Sequence, residues 1–250
     1  MSICRAVRGM SGMVVLLVSL GACATGVAGR DTELPVGRTA VKLDPAEFTV
    51  KIDNPYYPLH PGDRRVYRET AADGTRQRIV DAVLNKTKVI ADGVTARVVR
   101  STVTDGAGKV VEYTEEWFAQ DHAGNVWYFG EDTTSYENGK PSKEGSFEAG
   151  VDGAQPGVQM PAKPEAGMRF RLEGGYRSGA ADHTVILSVG TEQVEVPFGH
   201  FSDTIMMRDY SPLEPKVAEL KFYAKGVGGV LSLDTSGDDH REELVTFKKG

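Results

Sequence analysis

One short stretch, Glu115–Asp132, gathers the residues of this sequence that are best suited to chemistry. It reads EEWFAQDHAGNVWYFGED and holds both tryptophans, Trp117 and Trp127, with glutamates near each end. The central DHAGN is a turn-forming sequence between two runs rich in aromatic and β-branched residues, which predicts a β-hairpin. Carboxylates beside aromatic rings suit the binding of a sugar or a cation, or acid–base chemistry.

Two registers of this hairpin fit the turn. If the loop is residues 122–124, Glu115 lies opposite Glu131, and if the loop is residues 122–125, Glu116 does. Either register places a glutamate across from Glu131, with Cβ atoms about 4.5–5.5 Å apart. Carboxylates so placed repel each other unless a cation, a basic neighbour or a shared proton compensates.

The residues leave two interpretations of the hairpin open. In the first, Glu115 or Glu116 acts with Glu131, either in ligand binding or as the catalytic carboxyls of a hydrolase, because retaining glycosidases hold two carboxyls at about that spacing. The rings would then form a ligand-binding platform: Trp117, Trp127, Tyr128, Phe129 and Tyr136. In the second, the acids extend into water and the rings fill the core, as in any sheet with one solvated face.

The elements that position this hairpin are predicted to be strands. Short β-branched or aromatic runs recur along the chain, separated by Gly-bearing turns such as ADG, DGAGK and ENGK. This pattern predicts an all-β fold with little helix: a single antiparallel meander sheet, strongly curved or a half-barrel. One long Gly/Pro-rich loop, Glu148–Gly167, interrupts the pattern, and we expect it to be ordered and packed like a lid.

The beginning of the chain resembles an export signal. Arg5 and Arg8 precede the apolar run Met13–Leu20, which is too short to span a bilayer, and Leu20–Cys23 (LGAC) resembles a bacterial lipobox. We therefore predict a signal peptide over residues 1–22 and lipidation of Cys23. A flexible tether over residues 23–40 and a single β domain over residues 41–250 would follow. Ala24, directly after the lipidated cysteine, favours the outer membrane of a Gram-negative host.

Charge and cysteine content narrow the function classes. Removal of residues 1–22 takes away two arginines and no acid, which leaves 27 basic against 35 acidic residues. An acidic chain is not expected to bind nucleic acid or anionic lipid, since both bind clusters of Lys and Arg side chains. Cys23 is the one cysteine of the mature chain, so neither an intramolecular disulfide nor a cysteine-based zinc site can form. No metal site and no cofactor are predicted.

Several motifs resemble a family of functionally uncharacterised bacterial secreted proteins and lipoproteins. They are NPYYPLHPGDRRVY (residues 54–67), WFAQDHAGNVWYFGEDTTSYENGK (117–140), AGVDGAQPGVQMPA (149–162) and FYAKGVGGV (222–230). Gly229 departs from the usual G-V-G-L-V form of the last motif. The resemblance implies a compact all-β domain on an exported chain and supplies no catalytic residues. A lipid-anchored antiparallel sheet is also similar, more weakly, to the LolA/LolB half-barrel that carries acyl chains.

Together these patterns predict an exported, lipid-anchored binding module for an apolar or amphipathic envelope ligand or for a protein partner. The runs His183–Val189 and Thr204–Tyr210 would supply an apolar inner face, and the loop Gly150–Pro164 would close over it. The alternatives are a hydrolase acting at Glu115 or Glu116 with Glu131, and an envelope scaffold without a small ligand. Because the chain has no G-x-S-x-G, P-loop or G-x-G-x-x-G motif, the sequence favours binding over catalysis.

Overall fold

A computed structural model describes residues 34–137, 139–236 and 240–250 of the chain. Within these residues the chain forms fifteen strands and a single 3-10 turn, Pro45–Glu47, with no α-helix. The strands are β1 (Phe48–Thr49), β2 (Arg64–Thr70), β3 (Arg76–Val89), β4 (Thr95–Thr104), β5 (Val110–Asp121), β6 (Val126–Glu137), β7 (Lys140–Ser142), β8 (Phe147–Glu148), β9 (Gly157–Met160), β10 (Arg169–Arg171), β11 (His183–Val196), β12 (Gly199–Tyr210), β13 (Ala218–Ala224), β14 (Gly228–Asp234) and β15 (Arg241–Lys248). The prediction of an all-β fold with little helix is confirmed.

All strands belong to one antiparallel sheet that does not close on itself. Consecutive strands pair from β2 to β7 and from β10 to β15, so each half of the chain is a meander. The two meanders join where β15 pairs with β2, with Leu244 opposite Tyr67. Three short strands lie off this path: β1 pairs with β5, and β8 and β9 pair with β6. Pairing between neighbours in sequence confirms the meander, whereas the β15–β2 junction links the two ends of the domain.

The sheet is strongly curved, as predicted. Register shifts interrupt the pairing of β3 with β4 and of β11 with β12, and such bulges bend the strands that carry them. The curvature brings β5 to face β13 across the concave side. Tyr57 contacts Phe118 on β5 and Tyr223 on β13, with ring centroids 5.6 and 6.2 Å apart. Gln159 Nε2 on β9 also donates to Tyr223 Oη, at 3.1 Å.

The last part of the predicted tether is docked on the domain. Arg171 is fully buried, and its guanidinium donates to the carbonyl oxygens of Gly37 and Thr39, each at 2.8 Å, and of Pro156 at 2.7 and 3.0 Å. The backbone N–H of Arg171 binds the carbonyl of Pro35 at 2.7 Å. Residues 34–40 are therefore held by the domain, and the rest of the predicted tether lies outside the described residues. So do the predicted signal peptide and Cys23.

The Gly/Pro-rich loop is ordered and packed, but it is not a loop throughout. Its middle forms β9, which pairs with β6 and buries Val158 and Met160 completely. Residues 148–154 make a tight turn, in which Gly150 N–H donates to the carbonyl of Ala154 at 3.0 Å. The sequence did not predict β9, because the strand has only four residues, all four are buried and therefore do not alternate, and glycines and prolines surround it.

Large apolar side chains fill most of the space inside the curved sheet. Ile186, Ile205 and Met207, from the two runs predicted to form an apolar inner face, are at most 1% exposed and belong to the main hydrophobic cluster. A second cluster surrounds Tyr67 and Leu244 at the β15–β2 junction. In the part of the chain that the structure covers, no helix is long and apolar enough to cross a membrane.

Candidate binding site

The hairpin of β5 and β6 uses both predicted registers, one on each side of a bulge. Near the turn Phe118 lies opposite Tyr128, as the shorter loop requires, and farther along Glu116 lies opposite Glu131, as the longer loop requires. The shift falls at Gly130, whose φ of 120° favours glycine. A Cβ atom there would lie 2.1 Å from the carbonyl oxygen of Phe147, so the bulge depends on this glycine.

The aromatic residues of the hairpin form core rather than an exposed platform. Trp117, Trp127, Tyr128 and Phe129 are each at most 6% exposed. Phe48 of β1 covers Trp127 and Phe129 edge-on at 6.0 and 5.5 Å. Tyr128 stacks on Phe118 at 5.0 Å on the opposite face of the hairpin. Tyr136, the fifth ring of the predicted platform, is 39% exposed at the far end of β6 and is not part of this packing.

The rings of the hairpin are buried because both faces of the hairpin are covered. β1 and its flanking segment lie against one face, and the concave interior of the sheet lies against the other. The interpretation in which the rings fill the core is right for four of the five rings, but its solvated acidic face is wrong, because Glu116 and Glu131 are buried. Rings occur on both faces, and the glutamates divide between an outer and an inner position.

Glu115 occupies the outer position and is neutralised by basic neighbours. Its carboxylate accepts from Lys86 Nζ at 2.6 Å and from Arg100 Nη2 at 3.1 Å. Partial burial raises the pKa of Glu115, but the hydrogen bonds from these two cations outweigh burial, so the pKa lies below its usual value. Glu115 therefore behaves as an ordinary ion-paired carboxylate at the surface.

Glu116 and Glu131 occupy the inner position and are buried, at 6% and 3% exposure. Burial, together with repulsion from Asp81, raises the pKa of Glu116 to about 7. Burial and repulsion from Glu116 raise the pKa of Glu131 to about 8. Glu131 Oε1 and the nearby Tyr128 Oη each lack a hydrogen-bond partner of normal geometry among the described residues. These two carboxyls are therefore held in a site that disfavours their charge.

Glu116 opens onto a small cavity on the concave face of the sheet. The cavity has a volume of about 60 Å³, room for a few water molecules. Asp81 on β3 and Glu242 on β15 share its wall with Glu116, whereas Glu131 stands behind Glu116 and does not line it. The rest of the polar wall consists of Arg65, Lys221, Gln159, Ser232, Tyr57, Tyr67 and Tyr223. We call this site the acidic cavity.

The carboxyls of the acidic cavity are only partly compensated. Burial raises the pKa of Asp81 against an interaction with the Ser101 hydroxyl and attraction to Arg65, and burial and repulsion from Asp81 raise the pKa of Glu242 well above its usual value. Asp81 lies directly opposite Ser101 on the paired strand, and within the described ranges neither Asp81 Oδ1 nor Ser101 Oγ has a hydrogen-bond partner of normal geometry. Arg65 donates to the backbone carbonyls of Val227 and Pro58, at 2.7 and 2.8 Å.

A second group of charges lies on the same face, toward β12. Lys221 Nζ is 2.8 Å from Asp209 Oδ2 and 3.2 Å from Glu219 Oε2. Thr184 Oγ1 donates to Asp209 at 2.5 Å, and Ser232 Oγ donates to Glu219. Burial lowers the pKa of Lys221, but attraction to both carboxylates outweighs burial and holds it well above its ordinary value. We call this group the lysine-centred cluster.

The sequence analysis did not identify most residues of the acidic cavity and the lysine-centred cluster, although weak sequence patterns indicate that some of them are buried. Asp81 lies in the run IVDAV, where alternation places it on the same face as Ile79 and Val83. Lys221 gives a weaker signal, because only Tyr223 of its two same-face neighbours is apolar and Glu219 is charged. A charged residue flanked by apolar residues two positions away is a candidate for burial. Among the described residues, no group of three or more His, Cys, Asp or Glu side chains is arranged to hold a metal ion.

No protein-family model and no curated protein sequence matches this chain. Two solved structures are similar to it. One is a candidate exported protein with a YmcC-like fold from Bacteroides fragilis, with 16% identity over 78% of this chain and 99% of that chain and a TM-score of 0.42. The other is a candidate lipoprotein from Parabacteroides distasonis, with 13% identity over 78% of this chain and 100% of that chain and a TM-score of 0.45. Similarity this low carries no inference about function.

Proposed function

We propose that this protein is an exported, lipid-anchored envelope protein that binds the polar head group of a small or amphipathic ligand in the acidic cavity. The observation that carries the proposal is the meeting of three carboxyls with raised pKa values, Asp81, Glu116 and Glu242, at the wall of one cavity. Clusters of titratable groups with shifted pKa values beside an open space point to a functional site. A bound head group would donate hydrogen bonds to these carboxyls.

The cavity supports a polar ligand better than an acyl chain. Its volume of about 60 Å³ is too small for a long hydrocarbon, and carboxyl and tyrosine groups make up much of its wall. The apolar side chains that a lipid carrier needs on its inner face are already packed in the core. An amphipathic ligand fits this arrangement if its head group enters the cavity and its apolar part stays outside.

The support for the proposed lipid anchor comes from the sequence alone. The lipobox Leu20–Cys23 supports diacylation of Cys23, and Ala24 supports an outer-membrane address in a Gram-negative host. Metabolic labelling with a radioactive fatty acid tests the anchor, because label should enter the native protein and not Cys23→Ser. Equal labelling of both proteins would contradict lipidation at this cysteine.

Ligand binding is tested on the Cys23→Ser protein, expressed for export, with a library of small polar compounds. We expect at least one compound to raise the melting temperature saturably. The effect should disappear in Glu116→Gln and persist in Glu115→Gln, which changes the neighbouring residue on the other face of β5. A library without a saturable binder, or a binder that is insensitive to Glu116→Gln, would overturn the proposal.

A carboxylate-dependent hydrolase is the second candidate, favoured by the direct pairing of Glu116 with Glu131. Raised pKa values near neutrality, about 7 and about 8, suit general acids. Because only Glu116 reaches the cavity wall, a substrate held in the cavity would meet one of the two carboxyls. A hydrolase should lose turnover of chromogenic glycosides on Glu131→Gln while keeping its fold, whereas a binding protein should show no turnover before or after the change.

A further inference from the structure

We infer that an open groove, separate from the acidic cavity, binds an anionic ligand by holding its phosphate or carboxylate group against Arg38 and Arg177. The groove is lined by Arg38 and by residues 146–148, 151–155 and 175–178, and its volume is about 580 Å³. This volume lies within the roughly 300–1,000 Å³ that is usual for small-molecule sites. Because no residue lines both cavities, the inference goes beyond the proposed function and does not depend on it. We call this site the arginine groove.

The fold fixes the backbone of Arg38 on both sides. Arg171 Nη1 donates to the carbonyl oxygens of the residues directly before and after Arg38, each at 2.8 Å. Gln155, which lines the groove, accepts from the backbone N–H of Val41 through its Oε1 atom at 3.0 Å. Since the backbone is already held at these points, less conformational entropy is lost when the Arg38 side chain binds a ligand.

Tyr176 orients the side chain of Arg38. The guanidinium carbon of Arg38 lies 4.4 Å from the centre of the Tyr176 ring, and the Tyr176 hydroxyl lies 3.2 Å from His183 Nε2, which fixes the ring in turn. Stacking on a ring uses the flat face of a guanidinium and leaves its N–H groups, which lie in the plane, available to an acceptor. Arg38 is therefore oriented before any ligand arrives.

Within the described ranges, neither Arg38 nor Arg177 forms an ion pair. The arginines that do so in this part of the chain are Arg68, Arg100 and Arg241. A guanidinium carries five N–H donors in a planar fork and no acceptor, and this fork matches two oxygens of a carboxylate or a phosphate. A ligand oxyanion would supply the acceptors that the chain does not provide here.

A third arginine adds positive charge behind the groove. Arg171 does not line the groove and is fully buried, and its donors bind backbone carbonyls rather than a carboxylate among the described residues. Arg171 and Arg38 both lie near Tyr176, because both oppose the increase in the pKa of Tyr176 that burial causes. A buried cation without a carboxylate partner makes the nearby surface more attractive to an anion.

Two acids also line the groove, and they differ in their partners. Glu148 Oε2 lies 3.0 Å from Lys88 Nζ, and Glu148 Oε1 accepts from the backbone N–H of Ala91 at 2.9 Å, so its charge is compensated. Asp152 is exposed and has a positive φ of 51°. Its charge opposes an anion, and its replacement should therefore strengthen binding. Val151, 42% exposed, gives an apolar contact for the uncharged part of the ligand.

The test compares ligands of similar size that differ in charge. Titration calorimetry of the Cys23→Ser protein in about 0.1 M salt uses glucose 6-phosphate, glucuronate and glucose as probes. At least one of the two anions should bind about tenfold tighter than glucose, because a charged acceptor roughly doubles the strength of a hydrogen bond.

A second experiment distinguishes a soluble ligand from a lipid head group. Flotation of the same protein with vesicles of phosphatidylglycerol, compared with phosphatidylcholine, shows whether the oxyanion belongs to a lipid. Binding of the soluble anions assigns a free ligand, and Arg38-dependent binding to phosphatidylglycerol vesicles alone assigns a lipid head group. Equal affinity for the three sugars, or no binding of an anion in either experiment, would overturn the inference.

Single substitutions locate the anion. Arg38→Gln should weaken its binding by about fivefold or more, and Asp152→Asn should strengthen it by about twofold, since asparagine tolerates the same backbone conformation. Arg76→Gln, which changes an exposed arginine of β3 outside the groove, should leave binding within about twofold. Equal weakening by Arg38→Gln and Arg76→Gln would overturn the inference, because the anion would then respond only to net charge. Glu116→Gln should not change anion binding, so the arginine groove and the proposed function can fail separately.

Discussion

The lysine-centred cluster and the acidic cavity lie on the same concave face and are built from the same residue types, yet they differ in charge balance. Lys221 sits between Asp209 and Glu219, and hydroxyl donors reach both carboxylates. Among the described residues no ion pair joins Asp81 or Glu116 to a cation, and Arg65 and Lys221 only attract them from the cavity wall. A buried carboxylate serves structure when the chain supplies its counter-ion, and we propose that it is available to a ligand when the chain does not.

Replacement of Lys221 should leave the carboxylates of the lysine-centred cluster without a cation, and they should then be compensated even less than those of the acidic cavity. Lys221→Met leaves the buried Asp209 and the half-buried Glu219 without their cation, and breaking a buried ion pair in this way costs about 3–5 kcal/mol. We expect a loss of this size in the free energy of unfolding, measured by urea denaturation with tryptophan fluorescence. The double variant Lys221→Met with Asp209→Asn should recover part of the loss, because it removes one of the stranded charges. A loss below about 1 kcal/mol would show that the cluster is not a structural ion pair.

The second prediction breaks the geometry that pairs the two inner glutamates. Gly130→Ala forces a Cβ atom against the carbonyl of Phe147 at a φ of 120°, so the bulge must move. We expect a loss of about 2–3 kcal/mol in the free energy of unfolding, typical of a strained backbone position with a steric clash.

Gly74→Ala is the matched control for this change. Gly74 also has a positive φ, 84°, but no atom lies within 4 Å of a Cβ built there. Its substitution should cost only about 1 kcal/mol, from the backbone conformation alone. Equal losses at the two glycines would mean that the close approach of Phe147 to the bulge does not matter.

The third prediction concerns pH. Because the folded-state pKa values of Glu116 and Glu131, about 7 and about 8, exceed the ordinary value near 4.5, the folded protein binds more protons than the unfolded chain between these limits. The free energy of unfolding should therefore fall as the pH rises from about 4.5 to 8, by up to about 1.4 kcal/mol per pH unit for each proton. We expect a loss of roughly 2.5 kcal/mol between pH 6.5 and pH 8, measured by urea denaturation across the range.

Glu131→Gln serves as the control for the pH effect. The amide cannot ionise, so the variant should match the parent near pH 5 and exceed its stability near pH 8, with a shallower slope between them. An unchanged slope in this variant would assign the pH dependence to other groups. Glu115 and Glu243 contribute with the opposite sign, since cations hold their pKa values below normal and their stabilisation is lost only in acid.

The smallest effect is expected on the outer face. Lys86→Met removes one of the two cations that bind Glu115, and the Lys86 side chain is 54% exposed. Water replaces the lost contact and Arg100 remains, so the change should cost no more than about 1 kcal/mol. Thermal and urea denaturation of Lys86→Met beside Lys221→Met compares an exposed ion pair with a buried one in a single fold. A loss as large as that of Lys221→Met would contradict the distinction.

Much of the fold could be predicted because its signals are local. Alternating residues and Gly-bearing turns identified the strands and the meander, and the DHAGN turn located the β5–β6 hairpin. The hairpin register could not be chosen from the turn alone, since a bulge at Gly130 combines both possibilities. β9 was missed because four buried residues among glycines and prolines show no period. The sequence left open whether the rings bind a ligand or fill the core, and it could not show that both faces of the hairpin are covered, because one face is covered by Phe48 from a distant part of the chain.

The sequence by itself determined the all-β class, the strand order within each half and the presence of a glutamate opposite Glu131. Each of these follows from side-chain period and turn chemistry over a few residues. Only the tertiary structure decided which glutamate faces inward, how β15 joins β2, and that Asp81, Glu116 and Glu242 meet at one cavity. These residues lie far apart in sequence. Their convergence depends on sheet curvature and on which charges find partners, two properties that arise only when the whole sheet has formed.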